Sequence, residues 1–276
     1  MVRITALMDN KLSEHKALIA EHGLSLYIEH NDHRFLFDCG AGPNPQRNAY
    51  RLGIDLKDLD AVILSHSHYD HASGFRDLAD AGLGSRDLYT GPNFFEPKYA
   101  RSGVRLTDLS AGFDPDFLAQ RGICHHTVEG LKEIFPGVWL VSGFPRTHEF
   151  EQIPNRFVRR TAQGFREDDF SDEICMAVQV DGGLAVLVGC SHPGILNMMT
   201  QVRRLLGQPI RAVYGGTHLV EADGARIDAT IRALRQMGLE TLGLSHCSGD
   251  AAECALQAFP DVTGCHLCVG DTIFYD

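Results

Sequence analysis

The chain has 276 residues, 44% of them hydrophobic, so it is long enough to bury a substantial core. Its formal net charge of −11 argues against a general nucleic-acid-binding protein, which would need a basic face. No apolar run is long enough for a transmembrane helix, and the N-terminus lacks a signal-peptide pattern, so we expect a cytoplasmic protein without a membrane partner.

Two blocks of strands and helices are predicted in chain order, separated by an irregular region at 87–170. The predicted strands of the first block are Arg3–Met8, Leu24–Glu29, Arg34–Phe37 and Ala61–Leu64. Its predicted helices are Asn48–Leu52, Leu56–Leu59 and Phe75–Leu83. A region as long as 87–170, with only short strands such as Gly137–Val141, is more typical of an elaboration over a site than of a linker.

Regular patterns resume after residue 170. The predicted strands of the second block are Ile174–Val180, Leu184–Val188, Ala212–Tyr214, Thr241–Leu244, Asp261–Cys265 and Thr272–Tyr275. Its predicted helices are Ile195–Leu206 and Ala225–Met237. This order predicts an α/β fold in which one domain, residues 1–276, forms a four-layer αββα sandwich with functional residues along one edge of its sheets.

The eight cysteines do not predict a disulfide framework, because no secretory signal is present. Cys39, Cys175 and Cys190 lie in or beside apolar strand-like runs and are predicted to be buried, reduced thiols. Cys265-His266-Leu267-Cys268 is a single C-x-x-C motif. It could be half of a zinc site or a redox pair, although a C-terminal strand is the favoured interpretation.

The segment His66-Ser67-His68-Tyr69-Asp70-His71 directly follows the apolar run 61–64. Three imidazoles and a carboxylate within six residues are ligands suited to Zn²⁺ and related ions, which can generate hydroxide near neutral pH. Since the segment turns as it leaves the strand, it can serve two adjacent ions. The alternative, a chance cluster of surface histidines, is much less consistent with this spacing.

Further ligands are expected at the ends of later strands, because one segment is too short to hold two ions. His192, His218 and His246 each follow a predicted strand. Three such histidines in succession favour ligand roles for His192 and His246. For His218 the sequence leaves two possibilities open, a metal ligand or a residue that contacts the substrate.

The order Asp38, His66-x-His68-x-Asp70-His71, His192, His246 resembles the metallo-β-lactamase superfamily of metal-dependent hydrolases. The resemblance implies that one metal is held by His66, His68 and His192. It implies that the second is held by Asp70, His71 and His246. Asp38 corresponds to a buried carboxylate of the outer shell that orders the ligand loop. Many members have a bridging Asp or Cys where this chain has Gly216-Thr217-His218, so the bridging ligand stays open.

Four shorter motifs resemble one prokaryotic group within that superfamily. They are Gly-Cys-Ser-His-Pro-Gly-Ile at 189–195, Gly-Gly-Thr-His-Leu at 215–219, Ser-His-Cys-Ser-Gly at 245–249 and Pro-Arg-Thr-His-Glu-Phe-Glu at 145–151. The group includes the archaeal 7,8-dihydropterin-6-methyl-4-(β-D-ribofuranosyl)aminobenzene-5′-phosphate synthase of methanopterin biosynthesis.

The first functional hypothesis is a hydrolase that attacks a phosphorylated or ester-bearing small molecule with a metal-bound hydroxide. It would use two divalent ions, for which zinc is the first expectation and iron or manganese the alternatives. Asp70 and His218 are the predicted catalytic residues. His148, His218 and Arg146 are the predicted substrate-binding residues, although His148 also fits an exposed loop position and Arg146 a solvated basic loop.

Two alternatives come from different functional classes. A synthase would condense a dihydropterin methyl diphosphate with an aromatic amine, and the 87–170 region would then exclude water as a lid. A metal-binding sensor without catalysis would use the same sandwich. A nuclease is disfavoured by the net charge. For the oligomeric state, a homodimer is the general expectation.

Overall fold

The computed structural model describes residues 1–275, which form eighteen strands and seven α-helices. The strands are β1 (Val2–Met8), β2 (Ser25–His30), β3 (His33–Phe37), β4 (Ala61–Ile63), β5 (Asp87–Thr90), β6 (Lys98–Ser102), β7 (Arg105–Asp108), β8 (Cys124–Thr127), β9 (Leu131–Phe135), β10 (Val138–Ser142), β11 (Phe157–Thr161), β12 (Gly164–Glu167), β13 (Ile174–Val180), β14 (Gly183–Val188), β15 (Ile210–Gly215), β16 (Thr241–Leu244), β17 (Thr263–His266) and β18 (Thr272–Tyr275). The helices are α1 (Asn44–Arg51), α2 (Tyr69–Ala72), α3 (Gly74–Asp80), α4 (Pro115–Gln120), α5 (Ile195–Leu206), α6 (Gly224–Gln236) and α7 (Asp250–Leu256).

The strands form two seven-stranded sheets and one small sheet. The first sheet has the order β18-β1-β2-β3-β4-β5-β8, and the second has the order β17-β16-β15-β14-β13-β10-β9. The small sheet, β12-β11-β6-β7, is four-stranded and antiparallel. Strands β3, β4 and β5 run parallel to one another, as do β14 to β17, so the carboxyl ends within each group lie along one sheet edge.

Three buried apolar clusters define four layers. The central cluster joins residues of both large sheets, such as Ile4 and Phe37 from the first and Met176 and Tyr214 from the second. A second cluster packs helices α1, α3 and α4 on the outer face of the first sheet. A third packs α5, α6 and α7 on the outer face of the second sheet. The predicted αββα sandwich is therefore confirmed.

Most predicted strands and helices are present, but the helix predicted at Leu56–Leu59 is wrong. That segment forms turns, while both leucines are buried in the cluster beneath the first sheet. Their spacing of three residues reflects the inward face of a turn rather than a helical stripe. Among residues 1–275, no helix is long and apolar enough to cross a bilayer.

The 87–170 region is more regular than its sequence indicates. Strands β5 and β8 extend the first sheet and β9 and β10 extend the second, whereas only β6, β7, β11 and β12 form the separate small sheet. The strands of this region are only four or five residues long. Such short strands have weak periodicity of their own and depend on distant partners, for example β6 on β11.

Candidate metal centre

The predicted ligands come together where the strands of the two sheets end. His66 and His68 lie in the loop between β4 and α2, and Asp70 and His71 lie within α2. The remaining candidates each follow a strand of the second sheet: His192 after β14, His218 after β15 and His246 after β16. Residues that are far apart in the chain therefore share one edge of the sandwich.

The first group consists of His66, His68 and His192, whose ring nitrogens lie within 4.8 Å of one another. All three side chains are buried, and burial lowers the pKa of each ring well below its usual range. Nε2 of His66, Nε2 of His68 and both ring nitrogens of His192 have no hydrogen-bond partner among residues 1–275. Neutral imidazoles with free lone pairs, clustered in a buried site, fit a divalent cation such as Zn²⁺.

The second group consists of Asp70, His71 and His246. Nε2 of His246 lies 3.2 Å from Oδ2 of Asp70 and 3.2 Å from Nε2 of His71, and the latter two atoms are 3.8 Å apart. Burial opposes ionisation of Asp70, but His71, His22 and His246 hold the pKa of its carboxyl well below the usual range. An ionised carboxylate among imidazole nitrogens also suits a divalent cation.

Asp38, the predicted outer-shell carboxylate, orients rings in both groups. Its Oδ2 accepts hydrogen bonds from Nδ1 of His71 at 2.7 Å and from the hydroxyl of Ser65 at 2.8 Å. Because that hydroxyl has given its only hydrogen to Asp38, Ser65 Oγ accepts from Nδ1 of His66, 2.9 Å away. Both rings are thereby fixed with Nε2 toward the site, which is the usual role of outer-shell partners around metals.

His246 is oriented by a separate set of contacts. Its backbone N–H donates to Oδ1 of Asp9 at 2.6 Å, and its Nδ1 lies 2.9 Å from Oδ1 of Asn10. Since an amide oxygen only accepts, Nδ1 carries the proton and Nε2 presents its lone pair to Asp70 and His71. The loop that carries His192 is held by a different carboxylate, that of Glu173, which accepts hydrogen bonds from the backbone N–H groups of Ser191 and His192.

Backbone strain is concentrated at the site. Asp38, Ser191, His218 and His246 have φ values between 49° and 60°, a left-handed conformation that is unfavourable for residues with a Cβ atom. Gly189 shows how tightly the loops pack, since a Cβ atom there would lie 2.0 Å from Oγ of Ser65. The surrounding hydrogen bonds maintain these conformations, which set the directions of the candidate ligands.

His218 lies beside the first group. Its ring centroid is 4.5 Å from that of His192, and burial lowers its pKa to about 4. Within residues 1–275, however, His218 belongs to none of the clusters whose ligand atoms could surround one ion. Its position is therefore next to the candidate ligands rather than among them.

Arg146 and His148, the predicted substrate-binding residues, make hydrogen bonds around the loop that carries His192. The Arg146 guanidinium donates to the carbonyl oxygens of Pro193 at 2.6 Å and Asp169 at 3.0 Å. The backbone N–H of His148 donates to Oδ1 of Asn197 at 2.9 Å. From the same motif, the Glu151 carboxylate accepts from the N–H of Leu196 and Asn197 in the first turn of α5.

Aromatic rings from the 87–170 region cover the candidate ligands. The ring of Phe170 stacks on His192 with centroids 3.8 Å apart, and the ring of Phe157 in β11 lies 5.4 Å from His68 and 5.3 Å from His192. Lys98 of β6 approaches the same place, with Nζ 4.6 Å from the Phe170 ring centroid. The small sheet thus borders the site from one side.

Three residues at the site were not predicted as ligands. Nε2 of His22 lies 3.1 Å from Oδ2 of Asp70, and Sγ of Cys190 lies 3.1 Å from Nε2 of His71. Cys247 groups with Cys190 and His246 within 4.8 Å. Cys190 and Cys247 could have been considered from the sequence, since each lies within two residues of a predicted ligand histidine. His22 lies in an irregular segment whose sequence gives no such indication.

Comparisons with known proteins agree with this geometry. A family model described as the metallo-beta-lactamase superfamily matches residues 19–82, which include Asp38 and the histidine cluster. Tm1679, described as a metal-dependent hydrolase of the beta-lactamase superfamily, superimposes with a TM-score of 0.85 at 26% identity over the full length of both chains. The chain therefore contains a metallo-β-lactamase domain match and has the fold of that superfamily. A diphosphatase from the PhnP family also shares the fold, with a TM-score of 0.55, 14% identity and coverage of 100% of this chain and 98% of that one.

The chain is also similar to a curated archaeal enzyme. It is 29% identical to the 7,8-dihydropterin-6-methyl-4-(beta-D-ribofuranosyl)-aminobenzene-5'-phosphate synthase of Methanocaldococcus jannaschii, over 91% of this chain and 89% of the relative. The similarity extends through both halves of the sandwich and therefore through both groups of candidate ligands.

Proposed function

We propose that this protein is a metal-dependent hydrolase that acts on a phosphorylated or ester-bearing small molecule. The observation that carries the proposal is the convergence of His66, His68 and His192, buried and with unpartnered ring nitrogens. Similarity to Tm1679, which is described as a metal-dependent hydrolase, supports the same reaction class.

In this proposal two divalent ions occupy the two groups of ligands. His66, His68 and His192 hold one ion, and Asp70, His71 and His246 hold the other. Zinc is the first expectation for these ligands, and iron and manganese are the alternatives. Bound there, such ions supply a nucleophile from water at neutral pH and polarise a phosphoryl or carbonyl oxygen.

The protein's own residues set the conditions for that chemistry. Low pKa values keep the first three imidazoles neutral, and the low pKa of Asp70 keeps its carboxyl ionised. His218 stays neutral near pH 7 and lies beside His192, where its ring can donate a hydrogen bond to a substrate oxygen. Phe157 and Phe170 exclude bulk water from the same side.

The proposal is tested by hydrolysis assays with a chromogenic phosphodiester and a lactone. We expect turnover that disappears after treatment with a chelator and returns when Zn²⁺, Fe²⁺ or Mn²⁺ is added. Turnover that survives complete metal removal would contradict the proposal. Metal-loaded protein that hydrolyses neither substrate, and no other phosphoester, would instead favour the non-catalytic sensor.

The role of His218 can be separated from that of a ligand. Because His218 lies beside the candidate ligands but outside their clusters, His218→Ala is expected to retain the full metal content and lose most activity. Elemental analysis and the hydrolysis assay are measured on the same preparation. Loss of one metal equivalent would show instead that His218 is a ligand, and unchanged activity would remove it from the catalytic machinery.

A pterin-phosphate synthase is the second candidate, supported by the 29% identity to the M. jannaschii enzyme over nearly the whole chain. This reaction would condense a dihydropterin methyl diphosphate with an aromatic amine. The experiment is to follow diphosphate release with and without the amine. Release that requires the amine would identify a synthase, whereas release without it would identify a hydrolase.

A further inference from the structure

Cys190 lies between the two groups of candidate ligands. Its Sγ atom is 3.1 Å from Nε2 of His71, although the two residues are 119 positions apart. Sγ also clusters within 4.8 Å with the ring nitrogens of His66 and His71, and separately with His246 and the second thiol, Cys247. One sulfur atom therefore lies near a ring from each proposed metal position, His66 from the first and His246 from the second.

An independent observation indicates that a ligand belongs next to this sulfur. His66 is completely buried, and its Nε2 has no hydrogen-bond partner among residues 1–275. The Asp38–Ser65 contacts hold the proton of His66 on Nδ1, which leaves Nε2 with a lone pair near Sγ of Cys190. The buried thiol and the ring nitrogens of His66 and His246 form a donor set of mixed nitrogen and sulfur, which favours zinc or iron over magnesium and calcium.

Cys190 is better placed for this role than its neighbour Cys247. Cys190 belongs to two of the clusters, whereas Cys247 belongs only to the one with His246. The thiol of Cys247 donates to the carbonyl oxygen of Cys190, 3.6 Å away, whereas Sγ of Cys190 lies 3.1 Å from the candidate ligand His71. Both thiols are buried and reduced.

We propose that Cys190 is a thiolate ligand that bridges the two metal positions. The site would then take a thiophilic divalent cation rather than a purely oxygen-preferring one, and the Cys190 proton would be released to solvent on binding. This inference rests on the proposed metal centre. It adds a sulfur ligand that neither the histidine motif nor the comparisons assign.

The proposal is tested by titrating metal-free protein with Co²⁺ and recording the absorption spectrum. Cobalt bound to imidazole and carboxylate gives visible ligand-field bands, and cobalt bound to a thiolate also gives a charge-transfer band in the near ultraviolet. We expect both features in the wild-type protein and complete loss of the charge-transfer band in Cys190→Ser. The visible bands of the first position should persist in that variant.

Two matched variants control for the loss of a buried thiol. Cys175 is fully buried in β13 and belongs to none of the candidate clusters of the described chain, so Cys175→Ser should keep the charge-transfer band. Cys247→Ser should keep it as well. A band that survives in Cys190→Ser, or disappears only in Cys247→Ser, overturns the proposal.

The titration also separates this inference from the proposed function. If the wild-type protein binds no cobalt, the metal centre itself is wrong. If it binds cobalt without a charge-transfer band, only the role of Cys190 is wrong. Should Cys190→Ser fail to fold, X-ray absorption of the zinc-loaded wild-type protein decides the question, because a thiolate ligand gives a Zn–S shell at about 2.3 Å. A spectrum with nitrogen and oxygen neighbours alone overturns the proposal.

Discussion

His68→Ala is expected to lose metal-dependent turnover while the protein keeps its fold. Removing an outer-shell partner of a metal ligand costs about 10- to 100-fold in metal affinity or activity, so removing the ligand itself should cost more than about 100-fold. His68 lies in the loop between β4 and α2, outside the three apolar clusters that hold the layers together. Turnover, metal content and circular dichroism are measured together.

The matched control for this variant is His126→Ala. His126 lies in β8, where it stacks on Tyr89 and pairs with Asp87, and it belongs to none of the candidate metal clusters of the described chain. We expect full metal content and activity in this control. Normal activity in His68→Ala would remove His68 from the active site and contradict the proposed metal position.

Lys98→Met is expected to cause the largest loss of stability. Lys98 is 2% exposed, and its Nζ lies 2.5 Å from Oδ1 of Asp172 and 3.0 Å from Oδ2 of Asp168. Removing one partner of a buried ion pair costs about 3–5 kcal/mol, because the other charge stays buried without compensation. Asp172 also accepts a hydrogen bond from the backbone N–H of Ser67, the residue between the candidate ligands His66 and His68. Because the substitution removes the partner of Asp172, it should weaken metal binding as well.

The destabilisation should depend on pH in a defined direction. Burial raises the pKa of Asp168, while Lys98 opposes that shift, so loss of the lysine should raise the pKa further. A carboxyl with a raised pKa in the folded state contributes stability below its unfolded pKa and loses it as pH rises through its folded pKa. The free energy of unfolding that Lys98→Met loses relative to the wild type should therefore be smaller in mild acid than at neutral pH.

Urea unfolding at both pH values measures this effect. Lys57→Met is the control, because Lys57 is exposed and its substitution should change the free energy of unfolding by less than about 0.5 kcal/mol. Adding Asp168→Asn and Asp172→Asn to Lys98→Met should restore much of the lost stability by removing the unpaired charges. If Lys98→Met lowers the free energy of unfolding by less than about 1 kcal/mol, a structural role for this ion pair is contradicted.

The sequence predicted the candidate ligands best where they are close together in the chain or follow an apolar strand. The cluster at 66–71 predicted ligands because its residues are adjacent, and His192 and His246 were predicted because each follows an apolar strand. Parallel strands then place those positions on one edge of a sheet, which periodicity and chain order together anticipate.

The sequence was least informative where a contact depends on long-range packing. Cys190 was predicted to be a buried, reduced thiol, which is confirmed, but its position beside His71 depends on residues 119 positions apart in the chain. Lys98 gave no signal because its partners, Asp168 and Asp172, are some seventy residues away. The contacts of the Arg146 guanidinium with the carbonyl oxygens of Pro193 and Asp169 were likewise not predictable, because only the folded chain brings these groups together.

The most direct test of the metal centre is a crystal structure of the purified protein with anomalous data collected at the absorption edges of zinc, iron and manganese. We predict an anomalous peak about 2.0–2.1 Å from ring nitrogens of His66, His68 and His192, and a second peak among Asp70, His71 and His246. Rings that face different directions, with no anomalous peak between them after metal is supplied, would contradict the central claim.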